Sequence, residues 1–258
     1  MKISEVIMIT DEICPPELAE EWDNCGWQIK CGDGDVTGVL TALEITGAVI
    51  DEAVSRGANL IITHHPLIFQ GIKSVDINTV LGNYIVRLVN NGISVYSCHT
   101  DFDKAEGGNN DYIGEALELT DVRCLDDGFT RVGNIKGDMT ASEFAAFVCR
   151  KLNLSERSVR ICGDPGKHVK KAGWCSGAGA DFAEAAAKAG CDVFVTGDVR
   201  YHEAREVAEA GRIVIIDAGH FGTEVSFGEN MAGKLSERLG AGVKVFSSVA
   251  AEEPFTYL

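Results

Sequence analysis

Two adjacent histidines, His64 and His65, stand just before Pro66 at the end of an apolar run, and a third, His220, opens the segment His220-Phe-Gly-Thr-Glu224. Neutral imidazole is the commonest metal ligand, and Asp or Glu adds oxygen donors that cancel cation charge. His64, His65, Asp103, His220 and Glu224 therefore form a donor set for borderline divalent ions: zinc, manganese, iron, cobalt or nickel. Adjacent residues cannot face the same way on a strand, but in a turn before proline the two rings can diverge toward two neighbouring ions. Five ligands for two ions require one carboxylate to bridge and leave open positions for water, which is what separates catalytic from structural sites.

Other polar residues cluster near these five. His99 and Asp101 precede Asp103 and are expected to orient it as hydrogen-bond partners, or else simply to close a turn. Asp198 and His202, in Thr196-Gly-Asp-Val-Arg-Tyr-His202, suit proton transfer or substrate contact, against a plainer reading as a helix cap and an exposed imidazole. Gly107-Gly-Asn-Asn110 ahead of a helix could offer backbone N–H groups to a phosphate, but it lacks the Lys-Ser/Thr ending of a P-loop.

The elements that must carry these residues follow from periodicity. Apolar runs of strand length alternate with helix-period segments: Val39 to Ile45, a helix over Gly47 to Arg56, Asn59 to Thr63, a helix from Ile77 to Val89, and a strand from Ile93 to Cys98. That alternation predicts an α/β fold. Thr120 to Gly128 interrupts the pattern and predicts a domain boundary. Beyond it, Thr140-x-x-Glu143 has capping-box spacing before a helix ending near Leu152, followed by strands near Val159 to Ile161 and Val169 to Cys175. Gly57-Ala-Asn-Leu-Ile-Ile-Thr63 matches Gly190-Cys-Asp-Val-Phe-Val-Thr196, and His99-x-x-x-Asp103 echoes His220-x-x-x-Glu224. Two related α/β units facing one site are the expectation, residues 1–125 plus 225–258 and residues 126–224, with the motifs at the carboxyl ends of strands where α/β sheets bind ligands.

Composition narrows the function classes. The 258 residues carry a formal charge of −16, which opposes a grip on phosphate backbones, so nucleic acid is not expected as a main partner. Glu5, Asp11 and Glu12 interrupt what a signal peptide would need, and no run approaches the roughly 20 apolar residues of a membrane span. Nine cysteines show no CxxC pair and read as buried thiols of a reducing compartment, so a cytoplasmic location is expected.

With these residues in hand, the chain resembles the Nif-three-like dinuclear metal-centre hexameric proteins, the family also called GTP cyclohydrolase 1 type 2. Glu21-Trp-Asp-Asn-Cys-Gly26, Ile62-Thr-His-His-Pro-Leu67, His99-Thr-Asp-Phe-Asp103 with Gly107-Gly-Asn109, Thr196 to His202 and Asp217 to Glu224 carry the likeness across almost the whole chain. Cys25 departs from it, since a small aliphatic residue is more usual there. The resemblance implies two α/β domains with mixed sheets in three αβα layers, the first completed by the C-terminal segment, in a homohexameric ring. It also implies that His65 and Asp103 bind one ion, His64 and His220 the other, and that Glu224 bridges. The activity implied is metal-dependent hydrolysis of a purine nucleotide or phosphoester, with Asp198 and His202 handling protons. The alternative is a metal-handling or metallocofactor-binding scaffold without turnover.

Overall fold

The computed structural model describes residues 1–258. Its eleven strands are β1 (Gly26–Ile29), β2 (Val39–Ala42), β3 (Leu60–Thr63), β4 (Ser94–Ser97), β5 (Thr120–Cys124), β6 (Arg131–Thr140), β7 (Arg160–Cys162), β8 (His168–Trp174), β9 (Val193–Thr196), β10 (Val214–Asp217) and β11 (Val245–Ser247). They divide between two compact units, residues 1–108 with 225–252 and residues 109–224 with 253–258. No helix is long and apolar enough to cross a membrane.

The first unit holds a five-stranded sheet in the order β1-β4-β3-β2-β11. β4, β3, β2 and β11 run parallel, and β1 closes the edge antiparallel to β4. Strands covered on both faces read as unbroken apolar runs, and Leu60, Ile61 and Ile62 are wholly buried for that reason. Burial of each such side chain contributes roughly 1.5–3 kcal/mol. Leu60 and Ile62 pack with the helices Ile3–Ile13 and Phe227–Leu239, whereas Ile61 packs with the helices Gly47–Arg56 and Val80–Asn90. The period-2 alternation of the strand thus makes a helix–sheet–helix sandwich.

The second unit holds a mixed six-stranded sheet, β5-β6-β8-β9-β10-β7, parallel through β8, β9 and β10 and antiparallel at both sides. Val193 and Val195 face the helices Asn109–Ala116 and Ala141–Lys151, and Phe194 faces the helices Ala183–Lys188 and Tyr201–Ala210. This unit is also three-layered. The capping box forms as the spacing requires: Thr140 Oγ1 accepts from Glu143 N at 3.3 Å, and Glu143 Oε2 accepts from Thr140 N at 2.8 Å.

Two expectations need correction. The division falls after Gly108, not near residue 125, because β5 pairs with β6 and the helix Asn109–Ala116 packs beneath the second sheet. The last six residues likewise group with the second unit. The helix expected from Ile77 begins only at Val80. Asp76 accepts from Asn78 N and from Thr79 Oγ1, holding residues 76–79 in a turn from which Thr79 caps the helix.

Candidate metal centre

In the first unit the parallel strand β3 delivers His64 and His65 at its carboxyl end. Their amides are held by the chain leaving β2: His64 N donates to Ala42 O and Leu43 O, and His65 N to Leu43 O at 2.8 Å. The His64 ring is wholly buried against Phe227, with centroids 5.2 Å apart. Its Nδ1 lies 2.9 Å from Cys98 O. A carbonyl can only accept, so Nδ1 carries the proton, and the Nε2 lone pair is turned toward Asp103 Oδ1, 3.7 Å away. His65 remains partly open to solvent, its Nδ1 3.8 Å from Glu44 Oε2.

β4 delivers His99 and the short helix Thr100–Lys104 beside them. The rings of His64, His65 and His99 form one cluster with centroids 5.0–5.8 Å apart, and one nitrogen from each can be drawn within 4.8 Å of the others. His99 Nδ1 is 3.0 Å from both oxygens of Asp23, which also accepts from Thr100 N, Thr100 Oγ1 and Cys25 Sγ. Burial alone would raise the Asp23 carboxyl. The hydrogen bonds from His99, Thr100 and Cys25 outweigh it and hold the group well below the usual carboxylate range. Asp101 Oδ1 accepts from Phe102 N at 2.9 Å and from Cys25 Sγ at 3.3 Å. Burial pushes its carboxyl up to about 6, against the pull of those bonds. The side chains of His99 and Asp101 are thus engaged with Asp23 and Cys25 instead of orienting Asp103.

The second unit carries its own pair. β10 runs through Ala218 and Gly219 into the one-turn helix His220–Glu224, which sets the two side chains one above the other. His220 Nε2 lies 3.0 Å from Glu224 Oε2, and its Nδ1 lies 2.8 Å from Asp198 Oδ2. Asp198 sits just past β9 at φ 54°, a conformation that aspartate adopts more readily than most residues. Its role in the structure is to hold the His220 ring. Glu224 is buried against the turn after β8, where an added Cβ on Gly177, at φ 60°, would strike Glu224 Oε1. Gly177 N donates to Thr223 Oγ1 at 3.0 Å, which fixes that turn against the helix.

His202 behaves differently. It is exposed in the first turn of the helix Tyr201–Ala210, with its ring edge-on to Tyr201. Asn110, from the Gly-rich stretch, is buried: its carbonyl accepts from Trp174 Nε1 and its Oδ1 from Ser176 N, so it ties the end of β8. Sequence reasoning assigned no role to Asp23, Glu44 or Gly177. Only Asp23 carried a signal, an acid inside Glu21-Trp-Asp-Asn-Cys-Gly26.

In each unit a histidine spends Nδ1 on an acceptor and turns Nε2 toward a carboxylate, as metal-bound imidazoles do. The residues present therefore fit divalent metal ions.

Comparison with known proteins agrees in family. The family model described as Duf34/NIF3 (NGG1p interacting factor 3) matches residues 1–254. A Clostridium perfringens protein named GTP cyclohydrolase 1 type 2 homolog is 35% identical over 265 aligned residues, covering 100% of both chains. Among solved structures, the Staphylococcus aureus protein SA1388 matches with a TM-score of 0.93 at 28% identity, covering 100% of this chain and 99% of its own. A Bacillus cereus protein related to NIF3 matches at 0.94 and 25% identity, with the same coverage.

Proposed function

Because this chain belongs to the Duf34/NIF3 family, we propose that it is a dinuclear metal-dependent hydrolase of the GTP cyclohydrolase 1 type 2 kind, acting on a purine nucleotide or phosphoester. His64, His65, Asp103 and His220 would hold two divalent cations, with Glu224 serving both. The observation that carries this reading is the double orientation of the histidines. His64 is locked by Cys98 O and His220 by Asp198, each with Nε2 turned to a carboxylate.

Bound cations supply Lewis-acid polarisation and an acidified water. The chain's own residues supply the rest. Cys98 O keeps the proton of His64 on Nδ1, and Asp198 does the same for His220, so both Nε2 lone pairs stay directed. His99, whose Nδ1 is spent on the ionised Asp23, keeps Nε2 to take a proton, and the buried Asp23 carboxylate stabilises the imidazolium that forms. We assign proton handling to this dyad and the positioning of His220 to Asp198. His202, on its exposed turn, is left substrate contact from solvent.

The same reading takes the working form to be a cytoplasmic homohexamer. A second reading, a metal-handling scaffold without turnover, draws on the partial exposure of His65 and His220, which suits exchangeable ions. Metal analysis of the purified protein followed by turnover assays on nucleotide and phosphoester panels separates the two. Steady turnover that vanishes on chelation supports the enzyme; tight metal or ligand binding with no turnover across the panels overturns it.

A further inference from the structure

We propose that the first unit contains a separate thiolate site for a thiophilic dication of the zinc class, formed by Cys14, Cys98 and Asp101. Cys14 ends the helix Ile3–Ile13, Cys98 follows β4, and Asp101 lies one turn further on. Their exposures are 0%, 0% and 1%, and one donor atom from each lies within 4.8 Å of the other two. Donor atoms around a tetrahedral zinc with sulfur and oxygen ligands sit roughly 3.5 to 3.8 Å apart, so side-chain shifts of about an ångström close the three onto one ion.

The Asp101 carboxylate is the telling group. A carboxylate this deep costs several kcal/mol to bury unless it is compensated. The hydrogen bonds it accepts come from a backbone amide and a thiol, not from a lysine or arginine, and both fall on Oδ1. That thiol belongs to Cys25, whose Sγ lies 3.3 Å from Oδ1. Two plain packing cysteines would account for neither the carboxylate between them nor the third thiol on it.

Charge decides the class of ion. Two thiolates and a carboxylate sum to −3, which a monovalent ion reduces to −2 and a dication to −1, so a buried site favours the dication. As the two metal–sulfur bonds form, the two thiol protons leave to solvent and no electron transfer is needed. The sulfur donors distinguish this site from the nitrogen and oxygen set around His64, although Cys98 serves both: its carbonyl orients His64 while its thiol joins the second site.

The test uses the reduced, metal-stripped full-length protein titrated with Cd2+. One equivalent per chain should raise a thiolate-to-cadmium charge-transfer absorption, which the nitrogen and oxygen ligands cannot produce. Cys14→Ser and Cys98→Ser should abolish that absorption or weaken it about tenfold, whereas Cys149→Ser, His220→Ala and Glu224→Gln should retain it. X-ray absorption on the wild-type one-equivalent sample, which depends on no variant folding, should find at least two sulfur neighbours. Cadmium surrounded by nitrogen and oxygen alone, or full absorption in Cys14→Ser, would overturn the site while leaving the proposed hydrolase untouched.

Discussion

Glu224 is the residue on which the dinuclear reading turns. It is buried and 3.0 Å from His220 Nε2, so its carboxylate is aimed by the same turn that aims the ring. A bridging carboxylate screens the repulsion between two dications, and Glu224→Gln keeps the shape while removing the charge. The expected result is folded protein retaining at most about one metal per chain after dialysis, with metal-dependent turnover lost; two equivalents in the variant would refute the bridge. Asp198→Asn cannot accept from Nδ1 as strongly, so metal affinity should fall about 10- to 100-fold by competition with a chelator, while His202→Gln should leave it unchanged. Asp101 makes a different prediction, for metal-free protein. Its folded pKa, about 6, lies above the ordinary aspartate value of 3.8, so the stability it contributes is present below pH ~4 and lost as pH rises through 6. That loss is on the order of 3 kcal/mol, and Asp101→Asn should flatten it in denaturant titrations run across that range.

At the scale of elements, both candidate half-sites sit where a parallel strand gives way to a turn and a one-turn helix. β4 leads to Thr100–Lys104 and β10 to His220–Glu224. Neither helix is long enough to be stable alone, so each depends on the buried strand before it and on the neighbouring turn. The turn after β8 is the most exacting of these. Gly177 combines a φ of 60° with a direct approach to the Glu224 carboxylate. Gly177→Ala should lose roughly 1 to 2 kcal/mol from backbone strain and, because Glu224 must move, should bind metal more weakly than Asp198→Asn does. Wild-type metal affinity in a merely destabilised Gly177→Ala protein would show that Glu224 does not need this turn.

For the whole molecule, the two αβα units and the family assignment agree with solved relatives along the full chain. Assembly is the property that one chain cannot display. A homohexamer should give six times the 27.6 kDa chain mass by light scattering across working concentrations. A monomer mass throughout would remove the ring from the proposal.

The α/β class, the buried strands β3, β8 and β9, the capping box at Thr140 and the identity of the histidines and acids were all legible from residue types and spacing. These properties are local: a period-2 or period-3.6 pattern is written within a few residues, and ligand chemistry within one. The long strand β6 escaped notice because its buried and exposed positions follow no single period and its pairing with β8 is broken by a register shift. The domain boundary was misplaced because membership of a sheet is decided by pairing with distant residues, and Thr120–Cys124 finds its partner in β6. Tertiary structure alone decided which nitrogen each histidine keeps, since that depends on Cys98 O, Asp23 and Asp198 arriving from other segments. It alone brought Cys14, from the end of the first helix, to Cys98 and Asp101 in one buried cluster. Spacing names the groups that can do chemistry, but the protonation, direction and burial that make them do it are set by neighbours the spacing does not contain.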